Sequence, residues 1–253
     1  MNDLRLTREG VAMVIGLDRP ETLNALRRRT LAGLREALEE AEHDDRVRVV
    51  VLTGTGRAFS SGVDLTEAEA HLTTAGAEEI AAWIGEFQDL TRQAAGHSKI
   101  IIAAVNGLAV GAGAELAIAC DLRLAAGTAA FAFPEARRGL YPTNGVLYHL
   151  PRLVGQGLAA DLLLTGRKLG AADALAAGLV SRVVEAEDLL PTTLAFAETI
   201  GSAARTPIAL IKRHLRGSWD LDLEQVLALE TEGLLECLRA TDLLPRLTIG
   251  SDR

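Results

Sequence analysis

Short runs in which nearly every position is apolar alternate along this chain with longer stretches in which apolar residues recur every three or four positions. The first kind comprises 11–17 (VAMVIGL), 47–54 (VRVVVLTG), Ile100–Val105, a short piece at 122–125 and 178–184 (GLVSRVV). Runs of this sort predict strands buried on both faces. The second kind comprises 24–44 (NALRRRTLAGLREALEEAEHD), 77–95, 155–166 (GQGLAADLLLTG) and almost all of 188–237, and predicts amphipathic helices, with Pro191 and Pro207 placed near helix starts. Strands alternating with helices predict an α/β fold. The change of pattern near residue 188 separates a 1–187 core from a helical region over 188–253. No low-complexity tract, linker or alignable internal repeat interrupts the series.

One stretch raises a chemical question. GAGAELAIACD, at 111–121, follows the strand over Ile100–Val105 and the turn signal Asn106-Gly107, so Glu115 falls in the first turn of an otherwise apolar helix. A carboxylate is favoured there by the helix macrodipole and the unpaired N–H groups, with no functional meaning. The small residues equally let backbone and ligand approach closely, with the same N–H groups forming an anion-stabilising pocket beside a catalytic carboxylate. Taken alone, the stretch accommodates both readings.

Composition narrows the possible classes. A chain of 253 residues suits one large domain, or a domain with an appendage, and 49% hydrophobic with 24% charged residues is ordinary for a globular protein. Aromatic residues at 4% leave no base-stacking platform, and a net charge of −8 disfavours nucleic acid and anionic membranes as partners. An anionic ligand has to be met locally. No run of about 18 apolar residues occurs, and the first thirty residues lack an apolar core of signal-peptide type, so no leader is expected in them. Cys120 and Cys237 lie far apart in helical patterns and read as core residues of a reducing compartment, so a cytoplasmic protein is expected. His43, His71, His97, His149 and His214 show no metal-ligand spacing, so no metal is expected.

Taken in order, LDRPETLNAL (17–26), VVVLTGTGRAFSSGVDL (49–65), VNGLAVGAGAELAIACDLRLAA (105–126), FAFPEARRGL (131–140), LPRLVG (150–155) and LTGRKLGAADALAAGLVSRVV (164–184) resemble the crotonase superfamily of enoyl-CoA hydratases and isomerases over nearly the whole chain. The resemblance implies a crotonase-like spiral of ββα units with a C-terminal helical oligomerisation region that packs into homotrimers, often paired as homohexamers. Leu223, Val226, Leu227, Leu234 and Leu238 have the helical spacing of such a contact face. An acyl-CoA thioester is the implied substrate, coenzyme A being part of it, with no separate cofactor.

In this family an enolate oxygen is held by two backbone N–H groups, which the resemblance puts at Val63 and Ala112, with Gly62, Gly111 and Gly113 permitting the approach. Hydratases carry two glutamates, which fall on Glu115 and, twenty residues further along, Glu135. Two acids favour addition of water to a trans-2-enoyl-CoA, with Glu115 activating water and Glu135 delivering the proton. The alternatives are double-bond isomerisation with Glu135 alone shuttling the proton, and a non-catalytic acyl-CoA-binding protein. Ser61, Gly62, Asp64, Leu65 and Gly111 are expected around the substrate.

Three departures from the family pattern bear on binding. The loop YPTNGVLYHL (141–150) replaces a glycine-rich one, so Thr143, Asn144, Tyr148 and His149 introduce side chains expected to crowd the pocket or narrow acyl choice, with Thr143 and Tyr148 among the expected substrate contacts. Thr66 stands where a lysine often meets CoA phosphates, which leaves Arg19, Arg57 and one of Lys212 or Arg213 for that role. The terminal run LLPRLTIGSDR (243–253) departs from the usual final helix and is expected to alter trimer packing or the adenine end of the CoA site.

Overall fold

The computed structural model describes residues 3–240. Six strands form the larger sheet: β1 (Leu4–Glu9), β2 (Ala12–Leu17), β3 (Val49–Gly54), β5 (Ile100–Val105), β7 (Leu122–Ala126) and β10 (Arg182–Val184), adjacent in that order. Only β1 runs antiparallel to its neighbour; all later pairings are parallel. Parallel central strands are covered on both faces, which is why they read as unbroken apolar runs. Met13, Ile15, Leu17, Val50, Leu52, Ile101 and Ala103 face one core, while Ala12, Val14, Val49, Val51, Ile102 and Ala104 face a second. The first core is closed by α1 (Arg28–His43), α3 (Ala77–Gly96) and α4 (Ala112–Ala119), through side chains such as Leu34, Phe87 and Ala117. The second is closed by α7 (Leu189–Gly201) through Leu189 and Ala197. This first helix beyond residue 188 therefore covers the sheet itself.

A smaller sheet holds β4 (Ala58–Ser60), β6 (Leu108–Val110), β8 (Ala130–Ala132) and β9 (Leu169–Gly170). Each of β3, β5 and β7 is followed at once by its short partner β4, β6 or β8, and then by a helix: α2 (Leu65–Thr74), α4 or α5 (Val146–Thr165). This is the expected spiral of ββα units. The strands β4, β6 and β8 are mutually parallel, so the segments leaving their C-terminal ends emerge side by side. Those segments begin at Ser61, Gly111 and Phe133.

The structure departs from the predicted elements at several places. Strand β1 is exposed along most of its length, so an edge strand presents a polar sequence with no buried alternation. The helix expected from Asn24 begins four residues later, because Leu23 and Asn24 adopt positive φ and Leu26 bridges to Val63 instead. The run 178–184 forms a strand only over Arg182–Val184; its first residues close the short helix α6 (Ala171–Ala176), with the Leu179 and Val180 N–H groups donating to the Ala174 carbonyl. Helix α5 extends through the 155–166 run but starts earlier and is broken at Gly155, where φ is 78°. Two more helices, α8 (Arg205–Gly217) and α9 (Leu223–Arg239), complete the described chain, and the departure noted at 243–253 lies outside the described residues.

Candidate active site

The segment after β4 is held by a network rooted in LDRPETLNAL. The Asn24 amide is buried and donates to the carbonyls of Thr55 and Ala58, while Ser60 Oγ donates to the Asn24 carbonyl. The Leu26 N–H donates to the Gly62 carbonyl and the Asp64 N–H donates to the Leu26 carbonyl, which clamps the chain on both sides of Val63. Asp64 then caps α2, accepting from the N–H groups of Thr66 and Glu67, and pairs with Arg19 at 3.0 Å. Asp64 and Arg19 thus shape the loop without lining the cavity beyond it.

The segment after β6 approaches this loop closely. Gly62 has φ of 93°, and a Cβ there would stand 2.6 Å from the Val110 carbonyl oxygen and 3.4 Å from the Ala112 nitrogen. A Cβ at Gly113 would collide with Ser60, its backbone oxygen 2.5 Å away. The glycines are required by this close approach of two backbones. Among the described residues, neither the Val63 nor the Ala112 N–H donates a hydrogen bond. Ala112 opens α4, whose first-turn N–H groups have no partners within the helix. The far end of α4 is capped by the buried Arg123, which donates to the carbonyls of Cys120 and Leu179 at 2.8 and 2.6 Å.

Two carboxyl groups face this pair of donors. Glu115 lies one turn into α4 and is 2% exposed. Its Oε2 accepts from Asn144 Nδ2 at 2.6 Å, and its Oε1 is buried with no protein partner. Glu135, in the segment after β8, is partly buried, sits against Gly111 and has its Oε2 buried without a partner. Burial, reinforced by Glu135, pushes the Glu115 carboxyl up to about 7, and burial also raises that of Glu135. The donor from Asn144 works in the opposite direction on Glu115, as Arg138 does on Glu135.

Together these groups line a cavity of about 170 Å³ whose remaining walls are largely apolar: Leu65, Ala68, Leu72, Trp83, Ile84, Leu140, Tyr141 and Pro142. Ser61, Gly62, Val63, Gly111, Ala112, Thr143 and Asn144 line it as well, so most of the residues expected around a substrate are gathered here. Others are not. Tyr148 lies one turn into α5 on a different groove, its hydroxyl donating to the Arg216 carbonyl and its ring under Arg152. The helix that starts at Val146 turns it away from the cavity, which corrects its expected role as a substrate contact. His149 lines the same groove as Tyr148. Lys212 is buried in an ion pair with Asp121 at 2.8 Å and Arg213 pairs with Glu236, so neither is directed at the cavity. Arg57 is exposed and outside it.

Two contributions to the site have no signal in the sequence. Asn144, expected to crowd the pocket, is the hydrogen-bond partner of Glu115; no local pattern pairs residues so far apart in the chain. Trp83, Ile84 and Leu72 form the apolar wall from α2 and α3, and their helical spacing is that of any core-facing stripe. Among the described residues, no group of three or more His, Cys, Asp or Glu side chains is arranged to hold a metal ion.

The chain is similar to known proteins over nearly its whole length. The family model for enoyl-CoA hydratase/isomerase matches residues 7–242. A short-chain-enoyl-CoA hydratase from Clostridium acetobutylicum is 36% identical over 96% of this chain and 92% of its own length. A crotonyl-CoA hydratase from Syntrophomonas wolfei is 34% identical over 94% of this chain and 90% of its own. The crystal structure of an enoyl-CoA hydratase from Bacillus anthracis superposes with a TM-score of 0.91 at 30% identity, covering 97% of this chain and 94% of that one.

Proposed function

Since this chain belongs to the enoyl-CoA hydratase/isomerase family, we propose that it adds water across the double bond of a trans-2-enoyl-CoA to give a 3-hydroxyacyl-CoA. One observation carries the reading: two carboxyls, each with one buried and unpartnered oxygen, share a cavity with two unpartnered backbone N–H groups. The relatives named as hydratases, aligned over most of their length, support it.

The chemistry follows from that set of groups. The thioester oxygen rests between the Val63 and Ala112 N–H groups, which make an oxyanion hole when charge moves onto it. Glu115 takes a proton from water as the water oxygen bonds to Cβ. The electron pair of the double bond moves through Cα into the thioester carbonyl, and Cα then takes a proton from Glu135 as that charge returns. The sum is one water added, and one proton passes from Glu115 back to Glu135 before the next turnover. Neutral and ionised forms of the dyad must coexist, which the burial of both groups favours. The scheme needs no metal or redox group because the carboxyls and backbone donors supply every proton and charge contact.

The apolar walls from α2, α3 and Leu140–Pro142 suit the acyl chain, and the exposed Arg138, which also lines the cavity, suits a phosphate of the CoA portion. We also infer a homotrimer or a pair of trimers. Leu223, Leu227, Leu234 and Leu238 on α9 are all exposed in the single chain, with Leu215 and Trp219 beside them. Cytoplasmic residence fits two free cysteines and the lack, among the described residues, of a helix long and apolar enough to cross a membrane.

Mass spectrometry of crotonyl-CoA and longer enoyl-CoAs incubated with the protein tests the reading. A gain of one water is expected. Conversion of an added 3-enoyl-CoA to its 2-enoyl isomer without that gain, read after chromatographic separation because the isomers have equal mass, identifies an isomerase, and binding without any conversion overturns the catalytic reading.

A further inference from the structure

The loop 141–145 closes the cavity with side chains that are tied outward as well as inward. From α3, Gln88 Nε2 donates to the Thr143 carbonyl at 3.1 Å and Thr91 Oγ1 donates to the Asn144 carbonyl at 3.3 Å. The backbone of both residues is thereby anchored to a long helix packed in the core. Inside the cavity, Thr143 Oγ1 donates to Asn144 Oδ1 at 3.2 Å, and Asn144 Nδ2 donates to Glu115 Oε2 at 2.6 Å. Asn144 is 6% exposed, so its amide exchanges these partners for no solvent.

An amide has two faces, and the choice between them has a chemical consequence here. With Nδ2 toward Glu115 it donates, which favours the ionised carboxylate. With Oδ1 toward Glu115 it accepts, which favours the protonated acid. An ionised Glu115 only accepts and so requires the first orientation, which the Thr143 hydroxyl braces by donating to Oδ1. Burial acts the other way: Glu115 is the more deeply buried of the two carboxyls, and desolvation draws the proton toward it. Without an opposing donor, the more buried acid would hold the proton and could not accept one from water.

Building on the hydratase reading, we propose that Asn144 is a positioning residue, oriented by Thr143, that holds the Glu115 carboxyl in place and keeps it able to take the proton from water. The charged and titratable groups around Glu115 are Glu135, Arg138 behind it, and His149 beyond Gly145; α3 presents the neutral Gln88 and Thr91. His149 is driven down to about 4 by burial and so is uncharged at neutral pH. None of these neighbours supplies a hydrogen bond to Glu115, so the Asn144 amide is the side-chain contact that opposes desolvation there, with the backbone N–H groups of Thr143 and Asn144 acting in the same direction.

The test reads protonation and turnover separately. Protein labelled with carbon-13 at the glutamate side-chain carboxyl is titrated by NMR from about pH 4 to about pH 9, with the Glu115 signal assigned by its loss in Glu115→Gln. In Asn144→Ala the midpoint of Glu115 should move up by about one pH unit, and in Thr143→Val it should move up by less. The acid limb of kcat for hydration should move up with it. Its plateau should fall about tenfold while KM stays within about twofold, the mark of a group that acts through Glu115 and leaves substrate binding alone. A Glu115 titration in folded Asn144→Ala that superimposes on that of the unchanged protein overturns the proposal. Should Asn144→Ala not fold, an unmoved midpoint in Thr143→Val overturns it equally. A midpoint that moves in a protein that hydrates no enoyl-CoA supports the hold of Asn144 on Glu115 and removes only the hydratase reading.

Discussion

Gly111 and Glu135 touch across the junction of two strands' ends: a Cβ built on Gly111 would stand 2.7 Å from Glu135 Oε1. The Gly111 backbone, at φ 52° and ψ −127°, also lies where L side chains are strained. One glycine thus sets the conformation that opens α4 and leaves room for the second carboxyl. Gly111→Ala should push Glu135 away from the cavity and cost about 1 to 3 kcal/mol of backbone strain. The expected result is hydration reduced by about two orders of magnitude with a lowered melting temperature; retained activity would separate Glu135 from the chemistry.

The dyad can be tested by amide substitution. Glu115→Gln and Glu135→Gln keep shape while removing acid–base capacity, so each should lower kcat by roughly two to four orders of magnitude. Because the two groups act on one water, the double variant should fall far short of the product of the single losses. Acyl-CoA affinity, measured by calorimetry, should change little, since the Val63 and Ala112 donors remain. Full turnover in Glu115→Gln would show that this carboxylate serves only its helix.

Burial of Glu115 also makes a prediction about stability. Its carboxyl rises from an ordinary 4.5 to about 7 on folding, so between those values the folded protein binds more protons than the unfolded one. Stability from this group is complete below about 4.5 and is lost as pH rises through about 7. At 1.36 kcal/mol per pKa unit the loss amounts to roughly 3 kcal/mol. Glutamine mimics the protonated acid, so Glu115→Gln should gain stability relative to the unchanged protein as pH rises from about 5 to about 8. Urea midpoints at the two pH values measure this, and a constant difference would count against a raised Glu115.

Arg123 holds the opposite end of the same helix. Its buried guanidinium satisfies carbonyls of Cys120 and Leu179, and a cation is favoured at a helix C-terminus. Arg123→Met keeps much of the bulk but strands those carbonyls, at a cost of about 3 kcal/mol. The urea midpoint should fall with an unchanged slope, and kcat of the folded protein should remain within a few-fold.

The exposed face of α9 predicts assembly. Leu234 is 62% exposed in the single chain. Sedimentation of the 26.8 kDa chain should give a trimer of about 80 kDa or twice that mass, and Leu234→Asp should shift it toward the protomer. A protomer at micromolar concentration in the unchanged protein would reject the inferred assembly.

By itself the sequence determined the elements that are long enough to carry a period. Ile100–Val105 and Ala77–Gly96 lie where their patterns put them, within a residue, because apolar runs and helical stripes are local consequences of burial. It also determined Glu115 in the first turn of α4 and, through six ordered motifs, the family. Tertiary structure alone decided what a local pattern cannot encode. The strands β4, β6 and β8 have three residues each, too few for any period, yet their parallel pairing brings Ser61–Val63, Gly111–Ala112 and Glu135 to one place. Tyr148 and Asn144 belong to one ten-residue stretch, but the helix start at Val146 sends Tyr148 to another groove and leaves Asn144 in the loop against Glu115. That contact spans 29 positions of sequence, and a hydrogen bond between such distant residues exists only once packing has brought the loop over the helix.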